Sequence, residues 1–362
     1  MLTYYISAHG FGHAVRACEV IRQLPADLPL TIKTAIPERF LREELPTRPF
    51  HYIHAEHDCG VLGPDSAQAD LERTFDCMEA LQRGNAEALA GEAAWLRAGG
   101  TRLVVADIVP FALRAAHAAA LPSILIANFT WSAIYTDLLN HLGTQGKLLA
   151  RGERLAAEMQ ADFDLGMLLL ETEFAIPMQA CARRERIGLM TRRGVNRRAE
   201  LVQSLKLDPQ KPIYLIYLGQ DGLAGMRWER LTELEAQFIA YSVPPGAEPW
   251  VHALPRHAIH HADAAASVDA VIAKPGYGLC AECMACGTRL LYVPRPHFSE
   301  ADAIAAALDR WGGAIQVPEE QFRALEWAKP LAHLRLLTPD AGKTDLTGGA
   351  VAAQWIMKNY RS

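Results

Sequence analysis

Residues 268–286, VDAVIAKPGYGLCAECMAC, hold the pattern that decides the fold. Val268–Ala273 is a short apolar run of strand length, Gly276 and Gly278 punctuate it, and Leu279–Cys286 continues as a helix. Glycine permits a tight turn and lets a ligand approach the backbone closely. The helix that opens there presents unpaired N–H groups and the positive end of its dipole to an anion. The same grammar stands at the other end of the chain. Leu2–Ala8 (LTYYISA) reads as a strand, His9-Gly10-Phe11-Gly12-His13 as a glycine turn, and His13–Leu24 as an amphipathic helix. One such turn is weak evidence, because many strand-to-helix turns use glycine for packing alone. Two of them, far apart in sequence, point to two parallel sheets, each with a ligand-binding carboxyl edge.

The residues around each turn agree. After the first come strands at Leu30–Ala35 and Phe50–Ala55, a long helix at about Ser66–Leu96, strand Leu103–Ala106, helix Val109–Ala120 and strand Ser123–Ala127. A second series begins near Lys211, with strands at Pro212–Leu218, Gln237–Ser242, Val268–Ala273 and Thr288–Val293. Strands alternating with helices predict parallel sheets covered on both faces, an α/β architecture. The boundary between the two series is expected around Ile187–Asn196.

Bulk properties narrow the class. A chain of 362 residues, half of them apolar, can build two or three cores. Its net charge of −5 argues against a general nucleic-acid binder. An odd count of 7 cysteines does not resemble a secreted disulfide framework. With no signal-peptide pattern and no apolar run of bilayer length, the expected location is the cytoplasm. One charge run stands out: Arg183, Arg184, Arg186, Arg192, Arg193, Arg197 and Arg198. A solvated linker and helix face is the favoured reading, and a peripheral membrane or anionic-substrate contact through 183–198 is the other.

HGFGHAVRACEVIRQL at 9–24 resembles the first turn and helix of GT-B glycosyltransferases, and KPGYGLCAECMACGTRLLYVPRPHFSEADA at 274–303 resembles their donor segment. The nearest resemblance is to the glycosyltransferase-like N-terminal portion of plant L-arabinokinases and their stand-alone bacterial relatives. HDCGVLGPDS at 57–66, LVVADIVPFALRAAHAAALPSILIANFTWSAIY at 103–135 and TDLTGGAVAAQWI at 344–356 support it. The resemblance spans nearly the whole chain, which has no room for the kinase portion, so that activity is not carried over. It implies a GT-B fold: two doubly wound Rossmann-like domains facing across a cleft. Residues 1–190 would form the acceptor domain and 191–346 the nucleotide-sugar domain, with 347–362 a C-terminal helix returning to the first. The implied activity is inverting, metal-independent hexosyl or N-acetylhexosaminyl transfer from a nucleotide-sugar, a UDP-sugar above all, to an unknown hydroxyl acceptor. The nucleotide-sugar is then a substrate, and no cofactor is expected.

Chemistry singles out the same residues. Lys274, Pro275, Gly276, Tyr277 and Gly278 form a turn suited to a diphosphate, with lysine adding charge. Glu282, one turn into the helix, suits ribose hydroxyls, or is an ordinary helix glutamate. The resemblance matches Glu282 to the family's ribose carboxylate, Glu300 and Asp302 to donor-sugar contacts, and Gly219 and Gln220 to backbone donors for phosphate or base. A histidine titrates near working pH and suits removal of an acceptor proton. His13 matches the family's base and Asp107 the aspartate that orients it, by the logic of a His–Asp pair. On spacing alone, His13 is equally a cap of the glycine turn and Asp107 an N-cap. His9, Gly10 and Gly12, with Asp58, Cys59, Asn128 and Trp131, fall on the acceptor side or serve as loop and core residues. The stretch Phe298-Ser299-Glu300-Ala301-Asp302 departs from the amide-rich pattern of plant enzymes, which leaves the sugar open and admits a cleft that binds without turnover.

Two motifs point elsewhere. Cys280, Cys283 and Cys286 have iron–sulfur spacing but lack a fourth ligand, and packing against a sheet is the better reading. His252, His257, His260 and His261 cluster without completing a zinc signature. The alternatives to transfer are a silent nucleotide-sugar-binding or regulatory module and a sugar-nucleotide epimerase.

Overall fold

The computed structural model describes residues 1–63, 69–218, 223, 225–255, 258–295, 299–340, 342 and 344–361. By contacts the chain divides into two units. One comprises Met1–Met190, His297–Ala303 and Leu346–Ser362, and the other Thr191–Pro296 and Ile304–Asp345.

The first unit begins with β1 (Leu2–Ile6), α1 (Phe11–Arg22), β2 (Leu30–Thr34), α2 (Glu38–Glu44) and β3 (His51–His54). It continues through α3 (Leu71–Ala98), β4 (Leu103–Asp107), α4 (Pro110–Ala118), β5 (Ser123–Ala127), α5 (Trp131–His141), α6 (Gly146–Asp164), β6 (Leu168–Glu171) and β7 (Arg184–Arg186). Its sheet runs β3-β2-β1-β4-β5-β6-β7 with every neighbour parallel. Strands β1, β4 and β5 are buried along their whole length, as near-continuous apolar runs in a sheet covered on both faces should be. Tyr5, Val104 and Ala106 join one core with residues of α3 and α4, while Leu2, Tyr4 and Ile6 join the other with Ala14, Ala17 and Ile21 of α1.

The second unit holds α7 (Arg198–Leu205), β8 (Ile213–Tyr217), a 3-10 turn at Trp228–Glu233, β9 (Gln237–Ala240), β10 (Val251–Ala253), α8 (His261–Ser267), β11 (Ala270–Ala273), α9 (Tyr277–Cys286) and β12 (Arg289–Tyr292). Next come α10 (Ser299–Trp311), whose first residues belong to the first unit, then β13 (Ala314–Gln316), α11 (Glu319–Arg323) and α12 (Ala328–Leu334). The sheet order is β10-β9-β8-β11-β12-β13, again all parallel. Tyr214, Trp228, Phe238, Phe322 and Trp327 anchor its core.

Differences from the sequence reading are local. The long helix starts at Leu71, because Asp70 caps it by accepting from the Arg73 N–H at 3.0 Å. The strand before the second glycine turn starts at Ala270, since Val268 still closes α8. Helices α5 and α6 and strands β6 and β7 fill a stretch to which the sequence reading assigned no elements. Each of the seven members of the arginine run has a polar partner. Arg184 and Arg186 pair with Glu171, Arg183 with Glu185, Arg192 with His260, Arg197 with Glu200 and Arg198 with Asp269, while Arg193 donates to the Ala285 carbonyl. Nothing in these pairings supports a membrane contact through this run. Among the described residues, no helix is long and apolar enough to cross a membrane.

The last helix, α13 (Gly348–Arg361), packs Ala352, Ala353 and Ile356 into the core on the α1 side of the first sheet. Small residues permit its approach: a Cβ on Gly348 would lie 2.0 Å from the Gly188 carbonyl oxygen. Gly348→Ala is therefore expected to destabilise the chain by about 1–3 kcal/mol through overpacking. Gly91→Ala, in α3 with open space around a new Cβ, should instead stabilise by about 0.5–1 kcal/mol. Thermal midpoints that move in the same direction for both variants would contradict this packing account.

Candidate active site

Each sheet reverses its order once, between β1 and β4 in the first unit and between β8 and β11 in the second. Helices that follow strands on either side of such a point leave to opposite faces, so the carboxyl ends there stand open to a ligand. In the first unit Ile6 lies opposite Asp107 in the β1–β4 register, and the Ser7 N–H donates to the Asp107 carbonyl at 3.2 Å. The chain then turns through Gly10, whose φ of +88° lies in the region that favours glycine, and enters α1. His13 falls on the buried face of α1 and meets Asp107 with Nδ1 and Oδ1 2.9 Å apart.

Asp107 is wholly buried. Burial pushes its carboxyl up, but the Arg16 guanidinium and the His13 hydrogen bond outweigh burial and hold it below its ordinary value. Arg16 donates to both carboxylate oxygens, Nε to Oδ2 at 2.7 Å and Nη2 to Oδ1 at 2.6 Å. Its Nη1 donates to Asn128 Oδ1 at 2.5 Å, and Asn128 Nδ2 donates to Glu300 Oε1 at 2.9 Å. Ile108, next to Asp107, has a φ of +51°. A β-branched residue in the left-handed region is strained by about 1–3 kcal/mol, a cost that concentrates at functional sites.

A second cluster adjoins His13. Asp58 accepts from the Trp131 indole at 2.8 Å, and the ring of Trp131 lies 6.4 Å from that of His13. The His9 ring meets Trp131 edge-on at 5.2 Å and occupies the space above Gly60, where a Cβ would come within 1.9 Å of it. Cys59 is buried, its thiol is pushed up by burial, and its carbonyl accepts from Tyr135 at 3.1 Å.

In the second unit the turn Lys274–Gly278 leads from β11 into α9, with Gly276 at the N-cap, Pro275 and Tyr277 buried, and Lys274 and Gly278 half-buried. Glu282 is buried too, and accepts from His261 Nδ1 at 2.5 Å, with Arg192 Nε at 4.0 Å. His261 stacks on Tyr241 and meets Tyr217 edge-on. Gly219 and Gln220 lie outside the described residues, as do Asp65 of the 57–66 stretch and His257. Cys280 and Cys283 are buried in α9, and burial pushes the Cys283 thiol up, which fits packing. His260 caps α8, and His252 is exposed on β10.

Residues separately expected as catalytic, acceptor-side and donor-side thus converge: His13, Asp107, Asn128 and Glu300 form one bonded chain. Asp302 does not join it and is exposed. Arg16, which links the chain, was missed. Its signal was a cation one turn after His13 on a helix face otherwise made of Ala14, Ala17, Cys18, Val20 and Ile21. A cavity of about 620 Å³ lies elsewhere, lined by Glu79, Arg83, Arg114, Arg154, Glu158 and Asp162 of the outer helices.

Burial raises Asp58 from 3.8 to about 6, against the lowering effect of its bonds from Trp131 and Ser7 and of His13, with Asp107 adding to the rise. Between those two values the folded chain holds a proton that the unfolded chain has lost. The contribution of Asp58 to stability therefore falls as pH rises through the window. Asp58→Asn cannot ionise, and its thermal midpoint relative to the unsubstituted chain is expected to climb from about pH 4 to about pH 7. A constant difference across that range would mean that Asp58 is ionised throughout.

No protein-family model matches the chain. Among curated proteins it is similar to the L-arabinokinase of Arabidopsis thaliana, at 24% identity across 98% of this chain and 34% of that protein. The chain thus spans about a third of its curated relative. Among solved structures, the calicheamicin glycosyltransferase CalG4 superposes with a TM-score of 0.66 at 16% identity, covering 99% of this chain and 98% of that one. A UDP-glucosyltransferase from Polygonum tinctorium that glucosylates indoxyl also reaches 0.66, at 13% identity, over 100% and 99% of the two chains. With two all-parallel sheets, each reversed once, and this likeness along its whole length, the chain has the GT-B fold of glycosyltransferases, built from two Rossmann-like units.

Proposed function

We propose that the chain is an inverting, metal-independent glycosyltransferase that moves a sugar from a nucleotide-sugar, a UDP-hexose or UDP-N-acetylhexosamine, to a hydroxyl acceptor. The observation that carries this reading is the buried His13–Asp107 pair at the order reversal of the first sheet, 2.9 Å apart. An ionised aspartate only accepts, so Asp107 holds the proton of His13 on Nδ1 and leaves Nε2 as the base. The acceptor hydroxyl gives its proton to Nε2 while its oxygen attacks the anomeric carbon. The bond from that carbon to the diphosphate oxygen breaks on the opposite face, and the nucleoside diphosphate departs with the electron pair.

The second unit is assigned the nucleotide. The N-terminus of α9 and Lys274 would carry the diphosphate charge, with Gly219 and Gln220 as backbone donors. Glu282, oriented by His261, would accept from ribose hydroxyls. Glu300 is the sugar-facing carboxylate of this reading, with Asp302 as a further donor-sugar contact. A second reading, a module that binds the nucleotide-sugar without turnover, is favoured by the curated relative, which is named for a kinase activity and is far longer than this chain.

The test is release of nucleoside diphosphate from a panel of UDP-sugars with hydroxyl acceptors, alongside thermal shift. A donor at 100 times its dissociation constant should add about 2.7 kcal/mol of stability. His13→Ala is expected to cut acceptor-dependent release by about 10²–10⁴-fold and to leave the donor-induced shift intact. A shift without release supports the binding module. Sugar interconversion without acceptor indicates an epimerase, and full turnover in His13→Ala removes histidine from the role of base.

A further inference from the structure

No step of the proposed transfer uses Arg16, yet it is the most heavily engaged side chain of the site. It is 1% exposed. Its guanidinium grips both oxygens of Asp107, touches Asn128 Oδ1, and brings Nη2 within 3.1 Å of His13 Nδ1.

Guanidinium is donor-only, planar and always charged, so its bonds to Asp107 and Asn128 fix the atoms that accept there. With both oxygens taken by one rigid fork, the Asp107 carboxylate has no freedom to rotate away from His13. Oδ1 then stays 2.9 Å from Nδ1, and because an ionised carboxylate only accepts, Nδ1 must be the protonated ring nitrogen. Nη2 also lies 3.1 Å from Nδ1, a contact that is a hydrogen bond only if Nδ1 is bare, but its bond to Asp107 Oδ1 is the shorter, at 2.6 Å. At Asn128 the same logic sets the amide. A donor at Oδ1 forces Nδ2 to the other side, where it donates to Glu300 Oε1 at 2.9 Å. One cation therefore sets two hydrogen-bond directions, at the base and at a carboxylate that sits 172 residues away from Asn128 in sequence.

We propose that Arg16 is a positioning residue of the transfer reaction: its fork on Asp107 confines the His13 proton to Nδ1, and its bond to Asn128 turns that amide toward Glu300. The proposal rests on the reading of His13 as the base. A merely structural Arg16 would neutralise buried Asp107 and do nothing else.

The experiment uses the full chain with Arg16→Lys, which keeps the charge and loses the fork, and Arg16→Gln, which keeps a donor and loses the charge. Turnover and affinity are read with the UDP-sugar on which the unsubstituted chain acts, and the His13 ring nitrogens by long-range ¹H–¹⁵N NMR. The unsubstituted chain should show a protonated Nδ1 and a bare Nε2. Both variants should lose about 10²-fold in kcat with donor affinity retained, and their ring signals should show the proton spread over both nitrogens. A folded variant that keeps its kcat and its ring signals reduces Arg16 to a structural pair. A bare Nδ1 in the unsubstituted chain overturns the proposal without any variant, so poor folding of the substitutions leaves it open to refutation. If the unsubstituted chain turns over no UDP-sugar, the transfer reading fails, and the ring signals of the unsubstituted chain and Arg16→Lys still decide what Arg16 does to His13.

Discussion

Parallel strand pairing is the constraint from which the rest of the molecule follows. Adjacent parallel strands cannot be joined by a tight turn, so each step across these sheets needs a crossover, usually a helix. Both chains of strands start in the middle of their sheet and wind outward in two directions, which reverses the order at β1/β4 and at β8/β11. In the first unit α1 packs with the core on one face and α4 with the core on the other. The carboxyl ends of β1 and β4 lie between them. The turn after β1 supplies the start of the helix that carries His13 and Arg16, and β4 ends on Asp107. The positive φ values of Gly10 and Ile108 belong to the same two turns.

Charge is buried at that edge, where the apolar strands end. Removing one partner from a buried ion pair costs about 3–5 kcal/mol, because the other charge is left without water. Asp107 therefore commits the protein to Arg16, and Arg16 in turn to Asn128. A second ion pair lies near the ends of β1 and β2, where buried Lys33 meets half-buried Glu92 of α3, the Tyr5 hydroxyl donates to the same carboxylate, and the Lys33 ammonium lies 4.4 Å from the Trp95 ring centre. Polar groups in such networks are fully satisfied or expensive, which makes them rigid.

Much of this architecture was legible before any coordinates. LTYYI, LVVAD, SILIA and AVIA are predominantly apolar runs, and burial on both faces is what such runs require. Less legible was the stretch after Ala127. Helix α6 did carry a signal, with Gly152, Leu155, Ala156, Met159 and Phe163 spaced on one stripe. Strand β7 carried none: Arg-Glu-Arg at the edge of a sheet has no apolar alternation, because an edge strand is protected by charge rather than buried. The cysteine triplet of α9 has iron–sulfur spacing without a fourth ligand, and Cys280 and Cys283 lie buried in the packed helix with Cys286 half-buried.

Sequence by itself determined the two strand–glycine turn–helix units, the alternation around them and hence two doubly wound sheets, because these depend on the local period of apolar residues and on where glycine interrupts it. The tertiary structure alone decided which polar side chains meet. His13 and Asp107 are 94 residues apart, Arg16 and Asn128 are 112 apart, and Asn128 and Glu300 are 172 apart. Their contacts depend on the register of β1 against β4 and on how far each crossover carries the chain. No local composition encodes those distances, since a buried arginine and an exposed one are the same residue until the sheet has closed around it.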